Sequence, residues 1–135
     1  MKSKLILSLI VTMIAVVGVN AQKLNVQGTW KLIESSGNPL PSEYTQLKLI
    51  TPTHFIWTLI DDSGNIITGA GGKYTMKGRE YTESITMVLP GMKSFLNKNA
   101  TYNVEIIGKR MNITGNLEGP DGMAIENTEI WERIE

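Results

Sequence analysis

From residue 28 onward, turn-forming residues interrupt this chain at short, regular intervals, and that punctuation limits its possible folds more than any other feature. The signals are 37–41, 61–65, Lys77-Gly78, Pro90-Gly91, Gly108-Lys109 and 119–122. Between them lie short runs rich in β-branched and aromatic residues, which suit pleated, half-buried surfaces. The spacing predicts strands at 28–35, 44–51, 53–60, 66–76, 79–89, 101–107, 110–117 and 123–134. Only 92–98 suits a short helix. Thr51-Pro52-Thr53 divides an otherwise continuous run, since proline donates nothing to a ladder and biases its predecessor toward extended backbone. Hairpin-length connections make neighbours antiparallel, and an eight-stranded meander removes its exposed edges by closing on itself. The expected fold class is therefore all-β, an eight-stranded antiparallel up-and-down β-barrel. No linker, low-complexity tract or solenoid-length repeat is present.

Residues two apart on a strand share a face, so alternation names the interior. The expected lining is Trp30, Leu32, Leu47, Leu49, Phe55, Trp57, Leu59, Tyr74, Met76, Tyr81, Ile85, Met87, Tyr102, Val104, Ile106, Met111, Ile113 and Leu117. Thr45, Thr82, Thr86, Asn103, Glu105, Asn112 and Thr114 read as solvated. Gly69, Gly71 and Gly72 gather in the fourth strand, where missing side chains permit a bulge or a sharp bend.

Residues 1–21 stand apart. Lys2 and Lys4 precede an apolar run that ends in the small residues Val19 and Ala21, the pattern of a secretory signal peptide. The run is shorter than the roughly 20 residues a membrane span needs. Cleavage after Ala21 would leave a mature domain of residues 22–135 beginning at Gln22, with no Cys there to carry a lipoprotein anchor. The expected location is secreted or periplasmic, without a membrane anchor. Such a domain, with no Cys anywhere, must be stable without disulfides.

Composition excludes several chemistries. Thirteen basic residues balance thirteen acidic ones, which leaves no electrostatic footprint for nucleic acid. The absence of Cys removes thiolate zinc sites and cysteine nucleophiles. The single His, His54, has no carboxylate at ligand spacing in its own strand, so no metal site is expected. Asp61, Asp62 and Asp121 sit in turn sequences, which explains them. No nucleophile elbow, phosphate loop or dinucleotide fingerprint occurs, and no cofactor is expected.

Gly28-Thr29-Trp30-Lys31-Leu32 at the start of the first strand resembles the Gly-x-Trp signature of the lipocalins and their calycin relatives. The last strand, Glu129-Ile130-Trp131-Glu132-Arg133, carries an Arg where lipocalins often cover that first Trp. With Thr53-His54-Phe55-Ile56-Trp57, Gly71-Gly72-Lys73-Tyr74 and Tyr81-Thr82-Glu83, the mature chain resembles small secreted lipocalin-like domains of bacteria, whose function is largely unassigned. The opening also resembles intracellular fatty-acid-binding proteins. There Glu129 stands where that family places an Arg for the fatty-acid carboxylate, Trp131 replaces a Tyr, and 36–43 is too short for the family's helical lid. The resemblance therefore implies a barrel but not carriage of anionic fatty acids.

Glu83 falls in phase with Tyr81, Ile85 and Met87, which places a carboxylate inside. A buried carboxylate needs partners, and Tyr74, Tyr102 or an indole N–H are the expected donors. Glu83→Gln is expected to leave the fold intact. The candidate ligand-binding residues are Trp57, Tyr74, Glu83, Met87, Tyr102 and Trp131. Barrels of eight strands either fill their interior with side chains or hold one small ligand, and the sequence leaves that choice open. The expected function is binding of a small hydrophobic or amphipathic molecule without catalysis. The alternatives are a protein-binding module, such as an inhibitor of an extracellular hydrolase acting through loop 89–99, and a barrel cyclase or isomerase using Glu83.

Overall fold

In the computed structural model, which describes residues 24–135, the chain folds into one antiparallel sheet closed into a barrel. The signal-peptide reading at 1–21 lies outside the described residues. The strands are β1 (Gly28–Ser35), β2 (Asn38–Pro39), β3 (Tyr44–Ile50), β4 (His54–Asp61), β5 (Ile66–Lys77), β6 (Glu80–Val88), β7 (Asn99–Ile107), β8 (Arg110–Glu118) and β9 (Ala124–Arg133). Eight long strands follow one another around the barrel, and β1 pairs with β9 to close it. The extra strand β2 is a two-residue return of the chain against the end of β1. In place of the expected helix at 92–98 there is one 3₁₀ segment, Pro90–Phe95.

The lower half of the barrel is a packed core. Trp30, Phe55, Tyr81, Val104, Met111, Ile113 and Trp131 are each almost wholly removed from solvent. Trp30 plugs this end: its Nε1 donates to the Val26 carbonyl at 2.8 Å, and the Arg133 guanidinium lies 4.2 Å from the centre of its ring. Arg133 also donates to the backbone carbonyls of Gln27 and Asn25, tying the strand that ends the barrel to the segment that enters it. Gly28 sits at φ 135°, and a Cβ there would meet the Glu135 carbonyl and the Arg133 guanidinium. The glycine of the Gly-x-Trp pair is required by that crossing.

Two parts of the expected lining are on the other face. Leu47 and Leu49 point outward, with Leu49 43% exposed, while Lys48 and Ile50 are buried. Thr45 does face outward, and the two leucines share its phase. The cause is the β3–β4 hairpin: the loop of residues 51–53 sets a register that pairs Ile50 with Phe55 and Lys48 with Trp57, and cross-strand partners share a face. Met87 is also outside, 49% exposed. Between β5 and β6 the partners run Gly71 with Met87 and then Gly72 with Ile85, so Thr86 is an inserted residue that reverses the alternation after Ile85. The glycine cluster supplies the room for it, since a Cβ on Gly72 would collide with the Ser84 carbonyl.

If the end plug carries the stability its burial implies, Trp30→Ala costs roughly 3 to 5 kcal/mol and Arg133→Ala roughly 1 kcal/mol. Urea titration of the two variants checks this, and wild-type stability for Trp30→Ala contradicts it.

Candidate functional site

Above the packed half, the β6 and β7 strands part. Their ladder ends at Ser84 and Asn99, with one further exchange between Ile85 and residues 97 and 98. The 3₁₀ segment fills the gap and contributes Met92 and Phe95 to the interior. What remains is a cavity of about 440 Å³ whose rim includes Leu40, Leu117 and Ile125. The choice between filled core and cavity is thus resolved by height: the lower half is filled and the upper half is hollow.

The floor of the cavity is charged. Glu83 is buried, and its Oε1 accepts a hydrogen bond from Lys48 Nζ at 2.7 Å, with both side chains about 4% exposed. This ion pair replaces the expected bonds from Tyr74, Tyr102 or an indole. The Lys48 ammonium also lies 4.9 Å from the centre of the Trp131 ring and 5.9 Å from that of Phe55, so two aromatic faces cover its remaining sides. Burial opposes its charge, but Glu83, assisted by Glu129, outweighs that and holds the ammonium well above its ordinary range. Tyr81 and Tyr102 hold their protons well past the usual phenol range, because they are buried and face the charge of Glu83.

Beside the pair stands Glu129. Its Oε2 accepts from Trp131 Nε1 at 2.7 Å and its Oε1 from Asn127 Nδ2 at 2.8 Å, while Asn127 also reaches Tyr102 Oη at 3.4 Å. Register brings these groups to one level: Leu32 pairs with Trp131, Lys48 with Trp57, and Glu83 with Ala100.

Of the six candidate residues, Trp57, Glu83, Tyr102 and Trp131 line the cavity. Tyr74 does not. It sits at the closed end, its ring tilted 45° against that of Tyr81 with centres 5.2 Å apart, and its hydroxyl donates to the Thr51 carbonyl at 2.6 Å. Met87 is carried to the outer surface by the Thr86 bulge. Lys48, Asn127 and Glu129 line the cavity without having been expected there. Lys48 was hidden by the phase of Leu47 and Leu49, and the one available signal was Glu83 itself, since an inward carboxylate calls for an inward cation. His54 lies exposed, with Nδ1 2.7 Å from Thr53 Oγ1, and takes no part in the floor.

Removing one member of the buried pair strands the other charge. Lys48→Met and Glu83→Gln should each cost about 3 to 5 kcal/mol, so the substitution expected to leave the fold intact should instead weaken it. The double replacement Lys48→Met with Glu83→Leu should return stability to near wild type, because no charge is left buried. Urea titrations that find Lys48→Met as stable as wild type would count against the pair. Alkaline behaviour follows from the same groups. Lys48, Tyr81 and Tyr102 all keep their protons to higher pH when folded than their ordinary values of 10.5 and 10.0. The stability they contribute is complete below those values and is lost as pH rises above them. Tyrosinate absorbance from Tyr81 and Tyr102 should therefore rise together with alkaline unfolding, measured by near-ultraviolet dichroism, and not ahead of it.

No curated protein matches the chain. Residues 25–135 match the family described as Domain of unknown function (DUF4488), and the chain belongs to that family.

Proposed function

We propose that this barrel binds a small hydrophobic or amphipathic molecule in its upper cavity without transforming it, after export directed by residues 1–21. One observation carries the reading: half of the barrel is hollow, and the hollow joins apolar walls to a few fixed polar groups. Its volume of about 440 Å³ falls within the roughly 300 to 1,000 Å³ usual for small-molecule sites. Trp57, Tyr102, Phe95 and Leu117 offer apolar area, while Glu129 and Asn127 offer oriented hydrogen-bonding groups. The enzymatic alternative has less support, because Glu83 engages Lys48 through Oε1 and the His that could assist it lies on the outside.

A second reading has an observation of its own. Ile56, Ile66, Met87 and Leu89 are exposed on the outer face, around a shallow groove of about 210 Å³ where Gly69 and Gly71 lack side chains. Contiguous exposed apolar surface of this kind is typical of protein contacts. Native mass spectrometry of protein purified from its own organism separates the two. A retained small molecule that leaves on denaturation is the expected result, retention of a protein favours the outer face, and a bare chain that also fails to take up any amphiphile added in solution contradicts cavity binding.

A further inference from the structure

Resting on the cavity-binding reading, the charges on the floor identify the head group the ligand must carry. Among the described residues that line the cavity, Lys48 is the one cation, and Glu83 and Glu129 are the two carboxylates. Lys48 is committed to Glu83 at 2.7 Å and covered by Trp131 and Phe55. Among the described residues, Glu129 accepts hydrogen bonds from neutral donors only, the Asn127 amide and the Trp131 indole. Among the described residues the ion pairs are Lys48–Glu83 and Lys98–Glu118, and neither includes Glu129.

We propose that Glu129 anchors a cationic amine, and that ligands of this protein are amphiphiles with an ammonium or amidinium head group. The two neutral donors hold the carboxylate in one orientation without cancelling its charge, and each oxygen keeps a lone pair for a further donor. An ammonium there makes charge-assisted hydrogen bonds and leaves the floor with balanced charge. Trp57 and Tyr102 line the same cavity and give alkylated ammonium groups aromatic surface, Trp131 being already covered by Lys48. A carboxylate head group would instead bring a third anion to a floor with one cation, so like charges would be desolvated together. A neutral hydroxyl can bind, but it leaves Glu129 without an ion-pair contact and the floor with excess negative charge.

The test is calorimetric titration of the folded protein at neutral pH with octylammonium, octanol and octanoate, which share a chain and differ in the head. The ammonium should bind about tenfold tighter than the alcohol, with octanoate weakest. Glu129→Gln should bring the ammonium to within about twofold of the alcohol while the alcohol keeps its affinity. Glu126→Gln, exposed one strand position away from the inward face, should leave the order unchanged. If Glu129→Gln fails to fold, the order among the three probes on the wild-type protein decides alone. Equal binding of alcohol and ammonium, or a preference that survives Glu129→Gln, overturns the cationic head group and leaves cavity binding standing. Failure of all three to bind overturns both.

Discussion

A lysine and a glutamate face each other inside this barrel, and the arrangement around them follows from the need to keep two charges stable away from water. Desolvating each ion costs several kcal/mol, which a short contact and further favourable surroundings must offset. Lys48 and Glu83 meet at 2.7 Å, and the faces of Trp131 and Phe55 cover the ammonium. That requirement fixes the side-chain phase of β3 relative to β6, which are not neighbours in the sheet. A slip of β3 by one residue would expose Lys48 and Ile50, strand Glu83, and bury Leu47 and Leu49 in their place.

The pair also marks the boundary between two differently built halves. Below it, large side chains fill the barrel, and Trp30 under Arg133 closes the end. The plug is a local consequence of sequence: Gly28 permits the chain to cross under Glu135 and Arg133, and two residues later Trp30 enters the core. Above the pair, β6 stays paired with β5 as far as Val88 while its pairing with β7 stops at Ile85, and the chain between the two strands forms the 3₁₀ segment at Pro90–Phe95. A filled base gives the hollow upper half a rigid floor. Preorganised polar groups on such a floor bind without first being ordered.

The polar set of the floor explains how one chain can combine an acidic interior with a stable fold. Glu83 is compensated by Lys48, while Glu129 is only half-buried and bonded to neutral donors, so water at the cavity level can still solvate it. Charge that would be untenable in the packed half is tolerable where the barrel opens. The same gradient of burial keeps the phenols of Tyr81 and Tyr102 neutral.

Turn residues and alternation are local signals, and from them the eight barrel strands and their antiparallel order could be read, while the plugged end was implied by the resemblance of Gly28-Thr29-Trp30 and Arg133 to lipocalins. Outside β3 and the end of β6 the inward faces follow the alternation pattern, and Trp57, Glu83, Tyr102 and Trp131 meet in the cavity as their phases imply. Tertiary structure decided what local pattern could not carry. For YTQLKLI, alternation alone favours burying Leu47 and Leu49, but the hairpin register buries Lys48, and the compensation comes from Glu83 thirty-five positions away. Met87 left the interior because Thr86 is an inserted residue, and a bulge is defined by the partner strand. Whether the barrel is filled or hollow was likewise beyond the sequence, since it depends on where β6 and β7 part company, a property of two strands and a connecting turn together.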